Sequence, residues 1–140
     1  MYKRIAAEPI PVAVEEKFRV LIPNSRCILK GRIDVVLPVD GGVEMHDYKT
    51  STSVTDQKKA KEKTTNSKQL TMYALAWQLK TGEPAKQVSL DYVRTGQMAS
   101  VKKTSRSMNS MQVLLAQAAE DILEGKFVPG DKHEYCIHPL

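Results

Sequence analysis

Asp34, Asp47 and Lys49 flank an Asp40-Gly41 step that separates two runs rich in β-branched and apolar residues. Asp-Gly between such runs is a strong hairpin signal. A two-residue loop there makes Val39 face Gly42, Val36 face Met45, Asp34 face Asp47 and Arg32 face Lys49. Alternation sets Asp47 and Lys49 on one face of their strand, and cross-strand pairing brings Asp34 and Arg32 to the same face. Directly opposed residues have Cβ atoms about 4.5–5.5 Å apart, where two carboxylates destabilise a sheet unless something positive intervenes. A hard divalent cation would serve, since magnesium takes one or two carboxylates together with water and phosphate oxygens. The competing arrangement is a surface charge ladder in which Arg32 and Lys49 neutralise the aspartates without metal. The local pattern leaves both open.

These strands need neighbours and a cover. Val12 to Ile22 reads as a half-solvated first strand, interrupted by Glu15, Glu16 and Lys17 and ended by Pro23-Asn24-Ser25. Cys27 to Leu37 and Val43 to Lys49 follow as the second and third. Residues 51–67 are polar and lysine-rich and are expected to form a mobile loop with at most a frayed helical turn. Asn66 or Ser67 can cap a helix from Gln69 to Lys80, with Gly82 and Pro84 as its stop. Apolar residues at Leu70, Met72, Tyr73, Leu75, Trp77 and Leu79 nearly surround that helix, which predicts burial on more than one side. Gln87 to Arg94 and Met98 to Lys102 read as fourth and fifth strands about a Thr95-Gly96 turn. Asn109 to Glu124 reads as a second helix with Met111, Leu114, Leu115, Ala118 and Ile122 on one face. This order predicts an α/β fold, α+β by connectivity: a central mixed sheet with an antiparallel three-stranded meander and flanking helices.

The chain has 140 residues, 41% of them hydrophobic and 26% charged, which is the balance of one soluble globular domain over residues 1–140. No apolar run approaches the roughly 18 residues of a membrane span. Met1-Tyr2-Lys3-Arg4-Ile5 is not followed by an apolar stretch, so a secretory signal is not expected and a cytoplasmic location is. Cys27 and Cys136 are too few for a disulfide framework and lack paired metal-site spacing, so both are expected as free thiols. Twenty-one Lys and Arg against sixteen Asp and Glu give a formal charge of +5, which favours polyanionic partners through counterion release.

Gly31-Arg32-Ile33-Asp34, the hairpin, and Asp47-Tyr48-Lys49-Thr50 resemble the G-x-x-D and D-Y-K-T segments of RecB-like and Cas4-like nuclease domains of the PD-(D/E)XK superfamily. Gln69-Leu70-Thr71-Met72-Tyr73 is similar to the Q-x-x-x-Y motif that follows there on the helix behind the sheet. The likeness covers Val12 to Trp77 clearly and the remainder loosely. It implies a restriction-endonuclease-like core that hydrolyses DNA with Mg2+ or Mn2+. Asp34 and Asp47 would be metal ligands, with the backbone carbonyl of Tyr48 as a further one. Lys49 would act on the attacking water and the charge developing at phosphorus. Gln69 and Tyr73 lie four apart, share one helical face, and would look toward the site. The structural alternatives are a satisfied core aromatic for Tyr73 and a helix-start residue bonding free N–H groups for Gln69. His46 alternates to the opposite face and reads as structural.

Departures from the family pattern also carry expectations. Its members commonly supply a further histidine or glutamate ligand from a helix before the first strand. Only about eleven residues precede Val12, so the domain is expected to lack that helix, with Glu8, Glu15 and Glu16 as the upstream carboxylates. Phe127-Val128-Pro129 and Cys136 are similar to the tail of cluster-bearing members, but one cysteine there cannot hold an iron–sulfur cluster. His133, Cys136 and His138 are read as part of a disordered tail. Lys58, Lys59, Lys61, Lys63 and Lys68, with Arg32, are expected to contact the DNA backbone rather than base edges, the alternative for the lysines being a solvated loop with no ligand. The function implied is a Mg-dependent deoxyribonuclease, exonuclease-like, in repair, recombination or a phage or defence setting, beside a helicase or another nuclease subunit. The competing classes are a catalytically incomplete DNA-binding module and an assembly domain.

Overall fold

The computed structural model describes residues 9–126. Five strands form one sheet in the order β1-β2-β3-β4-β5: β1 Ala13–Leu21, β2 Ile28–Val39, β3 Gly42–Lys49, β4 Gln87–Tyr92 and β5 Gln97–Val101. The first three make an antiparallel meander, β4 runs parallel to β3, and β5 returns antiparallel to β4. The crossover from β3 to β4 carries two helices, α1 (Gln57–Asn66) and α2 (Lys68–Thr81), and α3 (Ser105–Leu123) follows β5. This is the expected mixed sheet with flanking helices.

The hairpin forms as the Asp-Gly signal requires. Val39 pairs with Gly42 and Val36 with Met45, and Gly41 takes the left-handed φ of +76° that the two-residue turn needs. Ser67 caps α2 by accepting from the Leu70 N–H at 3.2 Å, and Gly82 at φ +81° ends it. Leu70, Tyr73, Ala74, Leu75 and Ala76 of α2 are buried against Phe18, Val20, Ile33, Val36, Met45, Val88, Leu90 and Ala99 of the sheet, which makes one hydrophobic core. α1 packs on β4 and β5, α2 on β1, β3 and β4, and α3 on α2.

Two expectations need correction. The lysine-rich segment is not a loop but contains helix α1. Asp56 caps it by accepting from the Lys59 N–H at 2.8 Å, and Ala60 and Thr64 are fully buried. Its far end is closed by Lys103, whose ammonium donates to the carbonyls of Thr64, Thr65 and Ser67, the first two in the last helical turn, where carbonyls lack their usual partner four residues on. Lysine, glutamate and alanine are good helix formers, and two small buried side chains suffice to seat the helix. The apolar stripe of α3 is buried only in its first half, at Met108 and Met111, whereas Leu114 and Ile122 are 49% and 62% exposed. Thr104 also caps this helix, which starts at Ser105, four residues upstream of the expected start.

Gly31 owes its place to packing. A Cβ there would overlap the Phe18 ring, reaching 2.9 Å from Cε1, and that ring stands edge-on to Tyr73 with centroids 5.9 Å apart. Gly31→Ala is therefore expected to cost about 1–3 kcal/mol in urea denaturation through overpacking. Phe18→Leu in the same chain should relieve part of that cost, and strictly additive losses in the double variant would show that the ring is not the obstacle.

Candidate active site

The site begins at a break in strand alternation. Ile33 and Val36 are three apart, yet both lie in the core, so the side-chain period of two is interrupted between them. Opposite them on β1, Glu15 takes a left-handed φ of +50°, and the core positions change from Phe18 and Val20 to Ala13. The β1–β2 ladder passes from Val14–Val35 to Glu16–Ile33 without a Glu15–Asp34 rung, and the β2–β3 ladder ends at Val35–His46. The expected rungs Asp34–Asp47 and Arg32–Lys49 are thus absent. Instead the Tyr48 N–H donates to Asp34 Oδ2 at 3.0 Å, so a carboxylate oxygen replaces the missing backbone partner.

The same break moves Arg32. Ile33 takes the core face, and Arg32 turns to the exposed side, pairs across from Lys17 and reaches Glu15 at 3.4 Å. It does not share a face with Lys49, contrary to the expectation from simple alternation. Glu16 pairs with Lys80. Neither upstream glutamate joins the aspartates, and Glu8, Phe127-Val128-Pro129, His133, Cys136 and His138 lie outside the described residues.

Asp47 sits on the core side of the central strand and is 4% exposed. Lys49 Nζ lies 2.7 Å from its Oδ2 as an ion pair, at an angle that leaves that buried oxygen without an aligned hydrogen bond. The same ammonium donates to Gln69 Oε1 at 2.8 Å, and Gln69 Nε2 donates to the Tyr73 hydroxyl at 2.9 Å. Four side chains from β3 and α2 therefore form one continuous polar chain, Asp47–Lys49–Gln69–Tyr73. Gln69 bonds side chains rather than helix-start N–H groups, whereas Tyr73, buried with its hydroxyl satisfied by Gln69, also meets the description of a satisfied core aromatic. Burial pushes the Asp47 carboxyl above its ordinary value, Lys49 opposes that, and the Asp34 charge adds to it. Burial likewise raises the Tyr73 phenol, with Asp47 next in effect.

Two cavities of about 370 and 410 Å3 adjoin Lys49, and both are also lined by Lys63 and Tyr92. Helix geometry separates the other lysines. Lys59 directs its ammonium to the Ser53 carbonyl at 2.9 Å, Lys58 and Lys61 are exposed on α1, and Lys68 is exposed at the start of α2. Tyr92 carries no sequence signal, because it reaches the site only through the parallel Lys49–Tyr92 pairing. The reverse face was also missed. His46 Nε2 lies 3.3 Å from Glu44, Ser100 donates to Glu44 at 2.8 Å, and Ser89 also bonds it. The His46 bond, with those from the serines, holds the Glu44 carboxyl down to about 2 against the opposing effect of burial. The expected position of His46 on the face opposite Asp47 is observed, where it is buried beside Glu44.

A divalent metal fits part of this donor set. Asp47 Oδ2 is buried without an aligned donor, the Asp34 charge raises the Asp47 carboxyl, and the Tyr48 peptide lies against Asp34. Two carboxylates and a backbone carbonyl match what magnesium takes from protein. Among the described residues no group of three or more His, Cys, Asp or Glu side chains converges on a metal position.

The Asp47 shift has a thermodynamic consequence. A carboxyl with a raised folded-state value binds its proton more tightly folded than unfolded, so its contribution to stability is full below the unfolded value of about 3.9 and is lost as pH rises through the folded value. Asp47→Asn, which keeps the shape of the protonated form, should therefore raise the urea midpoint at pH 7. Lys49 is 36% exposed and can be solvated in that variant. The difference from the parent should close as pH falls below about 3.9, and a variant less stable than the parent at pH 7 would contradict the assignment.

A comparison with curated proteins finds no match. The sequence pattern of the PD-(D/E)XK nuclease superfamily matches residues 2–138, spanning all five strands and the Asp34, Asp47, Lys49, Gln69 and Tyr73 positions. The mixed sheet, its meander and the helix-backed carboxylate pair agree with that match, and the chain belongs to the PD-(D/E)XK nuclease superfamily.

Proposed function

We propose that this chain, as a single domain over residues 1–140, is a RecB-like or Cas4-like deoxyribonuclease that hydrolyses DNA phosphodiester bonds with Mg2+ or Mn2+. The observation that carries the reading is the polar chain Asp47–Lys49–Gln69–Tyr73 beside Asp34, at the wall of a cleft that also presents Lys63. Burying a carboxylate on a core face and tying it to a lysine costs stability, and a packing role alone does not call for it.

Asp34 and Asp47 would hold the metal, with the Tyr48 carbonyl as a further oxygen. When bound, a divalent metal supplies a Lewis acid for the phosphate oxygen and a lowered water pKa. Lys49 keeps its ammonium directed by Asp47 and Gln69, which fixes its charge where negative charge grows at phosphorus. Gln69 holds Lys49, and Tyr73 holds Gln69, so both are positioning residues. Lys63, which has no ion pair among the described residues, offers the adjacent phosphate a cation. Lys58, Lys61 and Lys68 are exposed further out, for longer-range attraction of the backbone. An exonuclease-like action in repair, recombination or phage defence, beside a helicase or another nuclease subunit, is the setting proposed from the family resemblance.

A second reading is a DNA-binding module whose metal site is incomplete. The observation favouring it is that Glu15 and Glu16 are engaged in ion pairs away from the aspartates. Linear and circular DNA incubated with and without magnesium separate the two readings, since only the first gives metal-dependent products.

Asp34→Ala and Asp47→Ala should each reduce cleavage to the level seen without metal, with the fold retained by circular dichroism. Wild-type rates in either variant would remove that residue from the ligand set. Lys49→Ala should lower kcat by about 100- to 1000-fold, the scale for removing one charge-stabilising donor, with DNA affinity little changed. A parallel fall in binding and turnover would make Lys49 a phosphate anchor instead.

A further inference from the structure

The outward face of the β1–β2 pair carries Lys17, Arg19, Lys30 and Arg32 in two directly opposed pairs, Lys17 with Arg32 and Arg19 with Lys30. All four are exposed, because their neighbours Phe18, Val20, Gly31 and Ile33 take the core side. Residues two apart on a strand are about 6.8 Å apart and neighbouring strands about 4.8 Å, so each cation has another within the roughly 8 Å Debye length of physiological salt. Directly opposed like charges destabilise a sheet. Little within the described residues compensates them. Glu15 reaches Arg32 at 3.4 Å and is itself 66% exposed, while Lys17, Arg19 and Lys30 form no ion pair there. Glu16, the next carboxylate on β1, is held by Lys80.

The quartet also has a direction. Arg32 stands two residues before Asp34 on β2, with Lys17 opposite it, and Lys30 and Arg19 form the next rung outward. The cations thus make a track that starts two residues from Asp34 on β2, on the face opposite Asp47, and leads away along the meander. The break in alternation falls at Asp34, whose carboxylate accepts from the Tyr48 N–H of β3 while Arg32 faces outward.

We infer that Lys17, Arg19, Lys30 and Arg32 form a second polyanion-binding surface, which holds backbone phosphates of DNA outside the active-site cleft. This rests on the DNA substrate proposed above. The interactions are charge-to-phosphate and carry no base readout, as four long cations on a two-stranded surface bring no fixed set of donors to base edges.

The test is Arg19→Gln/Lys30→Gln, a pair that touches neither the aspartates nor Glu15. Binding of labelled duplex DNA is followed by fluorescence anisotropy over a salt series without divalent metal, and thermal unfolding is measured on the same samples. The slope of log affinity against log salt should flatten by about two, close to one for each phosphate that the variant no longer neutralises, while Tm holds or rises because an opposed like-charge pair is gone. Lys86→Gln/Lys102→Gln, which removes the same charge around the cavity by the β2–β3 turn, should leave the slope near wild type. An unchanged slope in the first variant overturns the inference, as does an equal effect in the second or a fall of affinity accompanied by a lower Tm. A wild-type chain that cuts DNA while the first variant behaves normally defeats this inference alone. A wild-type chain that neither binds nor cuts defeats the proposed function as well.

Discussion

The structure turns on one costly placement, the Asp47 carboxylate on the core side of the central strand β3. Its neighbours on that side are Met45, Val88 and Leu90, which solvate no charge. An isolated carboxylate would protonate there, so the fold has to bring compensation to it. Lys49 does so from the same strand, one alternation further on, and α2 supplies Gln69 to fix the lysine. The helix therefore meets two demands at once: Leu70, Ala74 and Ala76 close the core, while Gln69 and Tyr73 on the adjoining face organise the site. Shifting α2 to improve either set of interactions would disturb the other, which couples site geometry to core packing.

β3 is constrained from behind as well. Alternation sends Glu44 and His46 to the reverse face, where Ser89 of β4 and Ser100 of β5 complete a hydrogen-bonded cluster around one carboxylate oxygen. Those bonds cross the parallel β3–β4 junction and the β4–β5 pair, so they resist slippage of the strands that present Asp47, Lys49 and Tyr92. The two polar groups differ in electrostatic state. Glu44 is held ionised by its donors, whereas Asp47 is pushed toward protonation by burial, a distinction set by how many donors each has rather than by residue type.

The parts of this arrangement that were legible in the sequence are those set by short-range rules. Asp40-Gly41 specified the turn and, with it, the register from Val39–Gly42 to Val35–His46. The Ser67 and Gly82 caps bounded α2. The alternation break at Ile33–Val36 was not legible, because it is paired with the left-handed Glu15 on another strand and neither residue type announces it. α1 was misread because its composition is that of a solvated loop, and its stability comes from Ala60, Thr64 and the distant Lys103. The exposed half of the α3 stripe is the reverse case, where periodicity is present and no described element covers it.

The position of the cleft follows from topology. β3 and β4 are the parallel pair, so both end at the same edge of the sheet, at Lys49 and Tyr92. From there the chain leaves β3 through residues 50–56 into α1, while β4 turns back through the Thr95-Gly96 region into β5. Departing segments diverge at such a point and leave a crevice beyond the strand ends, the place where open α/β sheets bind ligands. The antiparallel β2–β3 pair could not supply this alone, since a hairpin closes the gap at one end and directs its strands oppositely at the other. Lys49 is the last residue of β3, and so it faces Asp47 within the sheet and the crevice beyond it at the same time. A lysine one alternation earlier would be buried under α2, and one placed later would lose Asp47, so the Asp47–Lys49 spacing is set by the depth at which a buried carboxylate can still be reached from the strand's open end.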